Sequence, residues 1–480
     1  VWRLLNGYDM FPHQYGDDWN LPESGNGVPD VLDEVQWELD WLEKMQAADG
    51  GVYDKVASEV WEHGYPHESN LGGSFPVRYI LEKGTAVTAI TGAVFAQAHR
   101  VYKPFDSARA DVYLERAMDA HRFLLAHPTD VPVGGFKNPP GHISGPYYDN
   151  NDKDNRCWLA AELFRSTCNT TFAEQFETLY DANHCYIGWN DFQMHGLRAL
   201  WAYYFSGCPS YEYGEGLGSY RSKIEATMKS HFTSLVAQSQ GNAYRGTSRM
   251  NVYSWINFGA FSMIHAAQDL ILGAYVFPEE RAVYEEVMTR QVDIALGTNP
   301  LSQSYITGLG KKQVMHPLHW ASRWNRSATP TPGINVFGVA SHMPNSNAFY
   351  AAAQSDANNF PFRNSDDAPY PVLRRFTDDF YLVQNTEFGI NTLGPQCTLL
   401  MHLKNATFSA LAAPTDAPTF HVSDDLISPF LRAHYRWEGH NESGSIEYSL
   451  KAPPECCEAN ISAASGFCHC SGWCECYTVD

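Results

Sequence analysis

The chain has no apolar run approaching the ~18 residues that a helix needs to cross a bilayer, so no membrane-spanning helix is expected. It is also short of positive charge: 33 Lys and Arg stand against 54 Asp and Glu, a formal net charge of -21. A surface of that sign repels phosphate backbones and anionic lipid, which argues against nucleic acid and membrane surfaces as partners. β-Branched residues in strict alternation are scarce, so a sheet-built domain is not expected. Residue 1 is Val1 rather than Met and no signal peptide is recognisable, so the expectation is a processed or truncated product.

At 480 residues the chain can bury one large core and carry something smaller beside it. Aromatic residues make up 14% of it, with 13 Trp and 27 Tyr. They fit core packing first, with a groove in which flat apolar faces of sugar rings stack as the sharper alternative; composition does not choose. Cysteine is unevenly placed. Six of the 11 are Cys456, Cys457, Cys468, Cys470, Cys474 and Cys476, in a Gly/Ser-rich tail. His469 among them would suit zinc, but adjacent and alternate cysteines do not give zinc's usual ligand spacing, so disulfides in an oxidising compartment are expected. Five N-glycosylation triplets, at Asn169, Asn325, Asn405, Asn441 and Asn460, point to secretion as well. The odd cysteine count leaves a free thiol, an intermolecular bridge or a partner elsewhere.

Helical spacing recurs along most of the chain. In residues 28–46 Val31, Leu32, Val35, Leu39, Leu42 and Met45 share a face behind Pro29. Residues 85–101 are small and apolar throughout, as in a helix buried on all sides. Residues 108–127 are amphipathic and stop at Pro128. Further helices are expected over 156–167, 172–181, 192–206, 219–238, 255–273, 279–296 and 390–404. Residues 1–10 read as a helix with no start signal, the second half of a longer one. Loops rich in Gly, Pro, Asn and aromatics separate the helices, as at 133–154 and 301–379; the second far exceeds an ordinary connection and reads as functional. The pattern predicts an all-α fold, a closed barrel of helical hairpins or a solenoid, and the lack of a clean repeat favours the barrel. The expected organisation is a barrel over 1–412 and a Cys-rich, disulfide-bonded tail over 413–480.

Several motifs are specific. Leu-Pro-Glu-Ser-Gly-Asn-Gly at 21–27 is followed by Pro29-Asp30 and Leu32-Asp33-Glu34, then by Gly-Gly-Val-Tyr-Asp-Lys at 50–55. Trp-Leu-Ala-Ala-Glu-Leu-Phe occupies 158–164. Leu-Gly-Thr-Asn-Pro at 296–300 precedes Ser-Tyr-Ile-Thr-Gly-Leu-Gly at 304–310, and Asn-Thr-Glu-Phe-Gly-Ile-Asn runs from 385 to 391. In this order, residues 1 to about 410 resemble glycoside hydrolase family 9, the inverting cellulases and related exo-glycosidases. The resemblance implies an (α/α)6 barrel and inverting hydrolysis of a β-1,4-glucan or related polysaccharide, with no cofactor required.

Inverting hydrolysis uses two carboxyl groups about 6.5–9.5 Å apart, one to protonate the leaving oxygen and one to activate water. The resemblance makes Glu387 the acid, with Asp378 and Asp379 near enough in sequence to lend it charge. The family's base lies in an Asp-Ala-Gly-Asp motif upstream of residue 21, and that motif occurs nowhere in this chain. Asp17-Asp18 falls at an ordinary loop position, so the base is expected upstream of Val1 or lost. Where the family carries Pro-His-His-Arg, this chain has Pro317-Leu318-His319-Trp320, with Arg323 slightly beyond. The implied sugar contacts are therefore His319, Trp320, Arg323, Tyr305 and Trp255. His316 and His319 read equally as plain loop histidines, and Trp255 as a core residue. A structural calcium would fall at Asn150-Asn151, Asp154-Asn155 and Asp191, with Asp154 and Asp191 as its carboxylates; Asn155 replaces an expected Glu, and Asp154 could instead cap its helix.

Two functions follow. One is a secreted glycosidase acting on a polysaccharide or oligosaccharide, inactive as the 480-residue chain alone for want of its base. The other is a non-catalytic extracellular structural or carbohydrate-binding protein that keeps the barrel, self-associating through its tail.

Overall fold

Helix α1 spans Trp2–Met10, α2 Asp30–Met45, α3 Thr85–Tyr102, α4 Ser107–Ala126, α5 Lys153–Thr167 and α6 Thr170–Asp181. The series continues with α7 at Gly196–Tyr204, α8 at Glu215–Gln240, α9 at Ala260–Val276, α10 at Arg281–Ala295, the short α11 at Trp320–Trp324 and α12 at Val383–Thr386, and α13 at Ile390–Lys404. The computed structural model describes residues 1–59, 77–143, 145, 149–187, 195–208, 215–241, 245–247, 260–324, 329–339, 359, 374–404, 466–470 and 474–478.

Local chemistry sets the helix ends. The Asp106 carboxylate accepts the Arg109 amide at 2.9 Å and caps α4, and the Asn169 side chain accepts the Thr171 amide at 3.0 Å and caps α6. Helix α2 carries Asp30 and Asp33 in its first turn and Lys44 in its last, each favourable to the helix dipole. Helix α5 begins at Lys153, three residues before the position that its apolar spacing predicts. Asp152, not Asp154, holds the cap position, and its carboxylate goes to Arg156 at 2.7 Å.

Helices alternate between an inner and an outer ring. α3 packs against α4 behind it and α5 beside it; α5 packs against α6 and α7; α9 packs against α8, α10 and α13; α1 joins α13 to α3. Trp201 of α7 meets Tyr275 of α9 edge-on at 6.3 Å, which closes the inner ring. Trp158 and Phe164 of α5 meet Arg198 and Tyr203 of α7 in the same order along both helices, so neighbouring inner helices run parallel. The arrangement is an (α/α)6 barrel whose inner helices begin at a common end.

Close approach inside the ring requires small residues. In α3, Ala89, Ala93, Ala96 and Ala98 are all fully buried. A β carbon added at Gly92 would lie 2.8 Å from the Ala120 methyl of α4 and 3.1 Å from Leu159 of α5. That position is filled from both sides, which is why its neighbourhood reads as uniformly small and apolar.

Short strands precede α3. β1 (Val52–Tyr53) pairs antiparallel with β4 (Lys83–Gly84), and β2 (Val56–Ser58) with β3 (Arg78–Ile80). Two disulfides, Cys157–Cys185 and Cys168–Cys208, tie α5 to the segments that follow α6 and α7, and Cys397 on α13 is a free thiol. The cysteine count points to the tail, whereas both of these bridges lie in the barrel. The chain divides into two compact units, Val1–Asn405 and Ala406–Asp480. In the second, β5 (Gly466–Cys470) pairs antiparallel with β6 (Cys474–Thr478), setting Cys468 opposite Cys476 and Cys470 opposite Cys474 in register. A disulfide-bonded tail starting at residue 413 remains a proposal.

The bridges span 28 and 40 residues. Loops of that length constrain the unfolded chain by about 3–4 kcal/mol each. Replacing Cys168 and Cys208 by Ala is expected to lower unfolding free energy by about that amount, measured by urea denaturation. An unchanged midpoint would mean that the bridge does not persist in the folded protein.

Candidate functional site

Glu387 follows α12 in extended backbone, just before α13. Its segment is fastened to residues 337–338. The Phe337 amide donates to the Glu387 carbonyl at 2.8 Å, the Gly338 amide to the Asn385 carbonyl at 2.9 Å, and the Asn385 side chain to the Gly338 carbonyl at 2.7 Å. Asn385 is fully buried and also accepts the Thr377 amide at 3.0 Å. The Glu387 carboxyl is half-buried. Burial alone pushes its pKa from an ordinary 4.5 to about 7. Asp378 and Asp379 do not supply that shift, contrary to the expectation from their nearness in sequence.

Asp378 has a different task. Its carboxylate accepts the amides of Met315 at 2.7 Å and His316 at 2.9 Å. Two residues on, the Leu318 amide donates to the Thr386 carbonyl at 2.8 Å. Three hydrogen bonds therefore dock the 315–319 loop onto the segment that ends in Glu387. His319 opens α11. The Ser322 amide donates to its Nδ1 at 3.3 Å, with the Ser322 hydroxyl at 2.8 Å. An amide can only donate, so Nδ1 accepts and the ring proton sits on Nε2. Burial lowers the His319 pKa and favours this neutral form. The ring also meets Phe388 edge-on at 5.7 Å, beside Glu387.

Trp320 packs against Phe380 at 4.8 Å, and the Arg323 guanidinium lies 4.4 Å from the Phe380 ring and 4.7 Å from the Tyr381 ring, donating to the Tyr381 hydroxyl at 2.9 Å. Residues 376–388 thus gather Glu387, His319, Trp320 and Arg323. His316 is exposed. Tyr305 is not with them. It is fully buried, 5.1 Å from Phe376 in a second apolar cluster with Val314, Ile334 and Val336, so the expectation of a sugar contact is corrected to a core role. Trp255 and Asp191 lie outside the described residues, as do Asn325, Asn405, Asn441 and Asn460. Asn169 is exposed at the start of α6.

Asp154 is fully buried and its Oδ2 accepts the His195 amide at 2.7 Å, linking the starts of α5 and α7. It is no helix cap. Burial pushes its pKa to about 7 against the lowering effect of that amide. The Asn155 side chain donates to Asp149 at 2.9 Å. Asp154 Oδ1 and Asn155 Oδ1 are buried with no hydrogen-bond partner among the described residues. Together with Asp149 they are oxygen donors of the kind a hard cation takes. The carboxylates of Asp17, Asp30 and Asp33 come within 4.8 Å of one another, but their oxygens build the 17–30 loop. Asp30 accepts the Trp19 amide and the Ser24 hydroxyl, and Asp17 accepts the amides of Gly25 and Gly27.

A cavity of about 430 Å3 opens between α2 and the starts of α3, α5 and α7. Asp54, Asp130 and Asp149 line it with Trp41, Phe136 and Arg198. Burial pushes the Asp54 pKa up to about 6. Sequence reasoning missed this cavity, although Asp54 sits within the 50–55 motif.

A family model described as Glycosyl hydrolase family 9 matches residues 1–398. Endoglucanase D of Acetivibrio thermocellus is 27% identical over 325 residues, 66% of this chain and 48% of that protein. The xyloglucan-specific endo-beta-1,4-glucanase BoGH9A of Bacteroides ovatus is 27% identical over 349 residues, 70% of this chain and 57% of that protein. The chain spans about half the length of these curated relatives. Among solved structures, the GH family 9 endoglucanase J30 superposes with a TM-score of 0.69 at 26% identity, covering 84% of this chain and 70% of that one.

Two outcomes follow. Asp378→Ala frees the 315 and 316 amides, so their hydrogen exchange should accelerate while that of α3 stays protected; unchanged exchange would mean that the loop is held by other contacts. Glu387 binds its proton more tightly folded than unfolded. Its contribution to stability is therefore fully present below about pH 4.5 and is lost as pH rises through about 7. The melting temperature of Glu387→Gln relative to the parent should rise across that window, and a flat difference would place the carboxyl in water.

Proposed function

The chain belongs to glycosyl hydrolase family 9, and on that premise we propose that it serves hydrolysis of a β-1,4-glucan or a related polysaccharide, with inversion, using Glu387 as the general acid. What carries this reading is the Glu387 carboxyl itself. It is half-buried at the common end of the inner helices, fixed by its backbone on both sides, and poised near pH 7 by burial alone. A carboxyl of that kind holds its proton at neutral pH and can pass it to a leaving glycosidic oxygen. His319, neutral and with its proton on Nε2, would donate a hydrogen bond to a sugar hydroxyl. Trp320 offers an apolar face where the family has a guanidinium, and Arg323 brings a guanidinium back from one turn further on.

The base is proposed to come from outside these 480 residues, because they contain no Asp-Ala-Gly-Asp motif. The 480-residue chain alone is then a binder without turnover. The same missing motif and the Trp320 substitution favour the second reading, an extracellular carbohydrate-binding or structural protein that retains the barrel. Two disulfides in the barrel support a secreted protein in either case, since such bridges persist in oxidising compartments. Glycosylation at the five triplets and self-association through the tail belong to this proposal. Asp149, Asp154 and Asn155 would hold a calcium, whose contribution there is to fix the start of α5 rather than to take part in the chemistry.

The test is release of reducing ends from soluble β-1,4-glucan by the 480-residue chain and by a version extended upstream. The extended protein should turn over, and Glu387→Gln should reduce kcat at least a hundredfold, of the order expected for a lost general acid. Its rate should fall about tenfold per pH unit above pH 7, as the acid loses its proton. Turnover that survives Glu387→Gln would remove the acid assignment.

A further inference from the structure

We propose that Asn169 carries an N-linked glycan whose core lies in the groove between α4 and α6, on the outside of the barrel. The inference rests on the secreted-glycoprotein reading above and shares no residue with the Glu387 site. Asn169-Thr170-Thr171 is the one N-glycosylation triplet among the described residues.

Asn169 sits at a fixed point. Cys168 closes α5 in the left-handed region, with φ 52°, and its bridge to Cys208 pins it there. Asn169 follows as the exposed cap of α6, its Oδ1 accepting the Thr171 amide at 3.0 Å. That bond holds the carboxamide over the first turn of α6, and Nδ2 takes no part in it. Modification uses Nδ2. It loses one proton and bonds to the anomeric carbon of an oligosaccharyl diphosphate donor, while the bond from that carbon to oxygen breaks and the lipid diphosphate leaves with the electron pair. Oδ1 stays an acceptor, so the cap survives. Thr171, which completes the triplet, also lines the groove.

The groove encloses about 450 Å3. Thr171, Glu174, Gln175 and Thr178 line it from one face of α6, so it runs from the Asn169 end along about 10 Å of the helix axis. Leu125 of α4, 63% exposed, lines it from the other side, with Leu159 of α5 buried between the two helices. His121 Nε2 donates to Gln175 Oε1 at 2.9 Å, and burial lowers the His121 pKa, so the ring is neutral and its Nδ1 is an acceptor. Glu174 adds carboxylate oxygens. Arg156 is held by the Leu124 and His127 carbonyls and by Asp152, which leaves the groove little to offer an anion. The core of an N-glycan is neutral and amphiphilic. Its hydroxyl and acetamido groups donate to acceptors, and its ring faces and acetyl methyls are apolar. A free oligosaccharide would hold weakly to such a surface. One tethered at the rim is present at an effective concentration of roughly millimolar, so modest contacts keep it seated.

The test secretes the 480-residue chain from a eukaryotic host that adds high-mannose glycans, and follows the Asn169 peptide by mass spectrometry. The peptide should carry a glycan that peptide N-glycosidase F removes. Thr171→Ala should abolish the modification and keep the Asn169 cap, and Thr171→Ser should retain both. Endoglycosidase H, which cuts within the glycan core, then reports docking, because it acts on the undocked fraction. Cleavage at Asn169 in the native parent should be about tenfold slower than in Leu125→Glu or Gln175→Ala, and equal in all three after denaturation. Leu125 is exposed enough that its replacement leaves the core intact, and circular dichroism checks both variants. Equal native rates would mean that the glycan projects into water, and the proposal falls while the modification stands. An unmodified Asn169 beside modified triplets elsewhere would overturn it and leave the glycoprotein reading intact. If no triplet of the secreted chain is modified, that reading fails and takes this one with it. Turnover and the Glu387 assignment are untouched by any of these results.

Discussion

A helix with neighbours on every side can only be as close to them as its side chains allow, and closing a ring of such helices is the constraint on which this molecule depends. Gly92 and the alanines around it let α3 touch α4 and α5 at once. The same closeness forces each inner helix to run the same way, because each is followed by an outer helix that returns the chain. All the inner helices therefore begin at one end, and the segments before them become a single neighbourhood: the strands before α3, the 130–152 stretch before α5, His195 before α7 and Glu387 before α13. Packing at the middle of the barrel decides what can meet at its end.

The end so built has a particular electrostatic character. Helix N-termini present unpaired amides and the positive end of the helix dipole. Asp154 answers one of them by accepting the His195 amide. Arg198, packed between two indoles, adds a cation that is held in place rather than mobile. Even so, burial leaves Glu387 and Asp54 hard to ionise, and Asp154 too despite the His195 amide that it accepts. Acids with raised pKa values occur here chiefly because burial strips water from them.

Much of the fold was legible because helix periodicity survives in single sequences. The apolar residues of α2 recur at helical spacing, and α3 betrays its burial by containing little besides small residues. The site was legible in part. Glu387, His319, Trp320 and Arg323 come from two motifs whose order along the chain suggested nearness, and they do share a segment. What spacing could not convey was direction. Tyr305 stands in a motif of the right kind, yet irregular backbone turns it into a core cluster, and no periodicity distinguishes inward from outward in such a loop. The Asp378 contacts reach back 62 and 63 residues to amides that carry no side-chain signature. The barrel disulfides join cysteines 28 and 40 residues apart, and nothing in the sequence separates those pairs from the denser set in the tail.

The unequal treatment of acid and base has a physical reading. If the Glu387 pKa depended on a neighbouring carboxylate, a chain without that neighbour would hold an ordinary ionised glutamate. Here burial alone supplies the shift, so the proposed proton donor needs no neighbouring carboxylate to hold its proton. A base carboxylate about 8 Å away would repel the Glu387 anion by about 2 kcal/mol at an effective dielectric constant near 20, which pushes the acid further in the direction burial already takes it. The partner would thus strengthen an acid that exists without it, whereas water activation needs the partner outright. On the proposed reading, an inverting site assembled this way would lose turnover without its base and still keep the protonation of Glu387. A barrel of this family that binds without cutting, and one that cuts when a second carboxylate is brought to it, can therefore share every residue described in this chain.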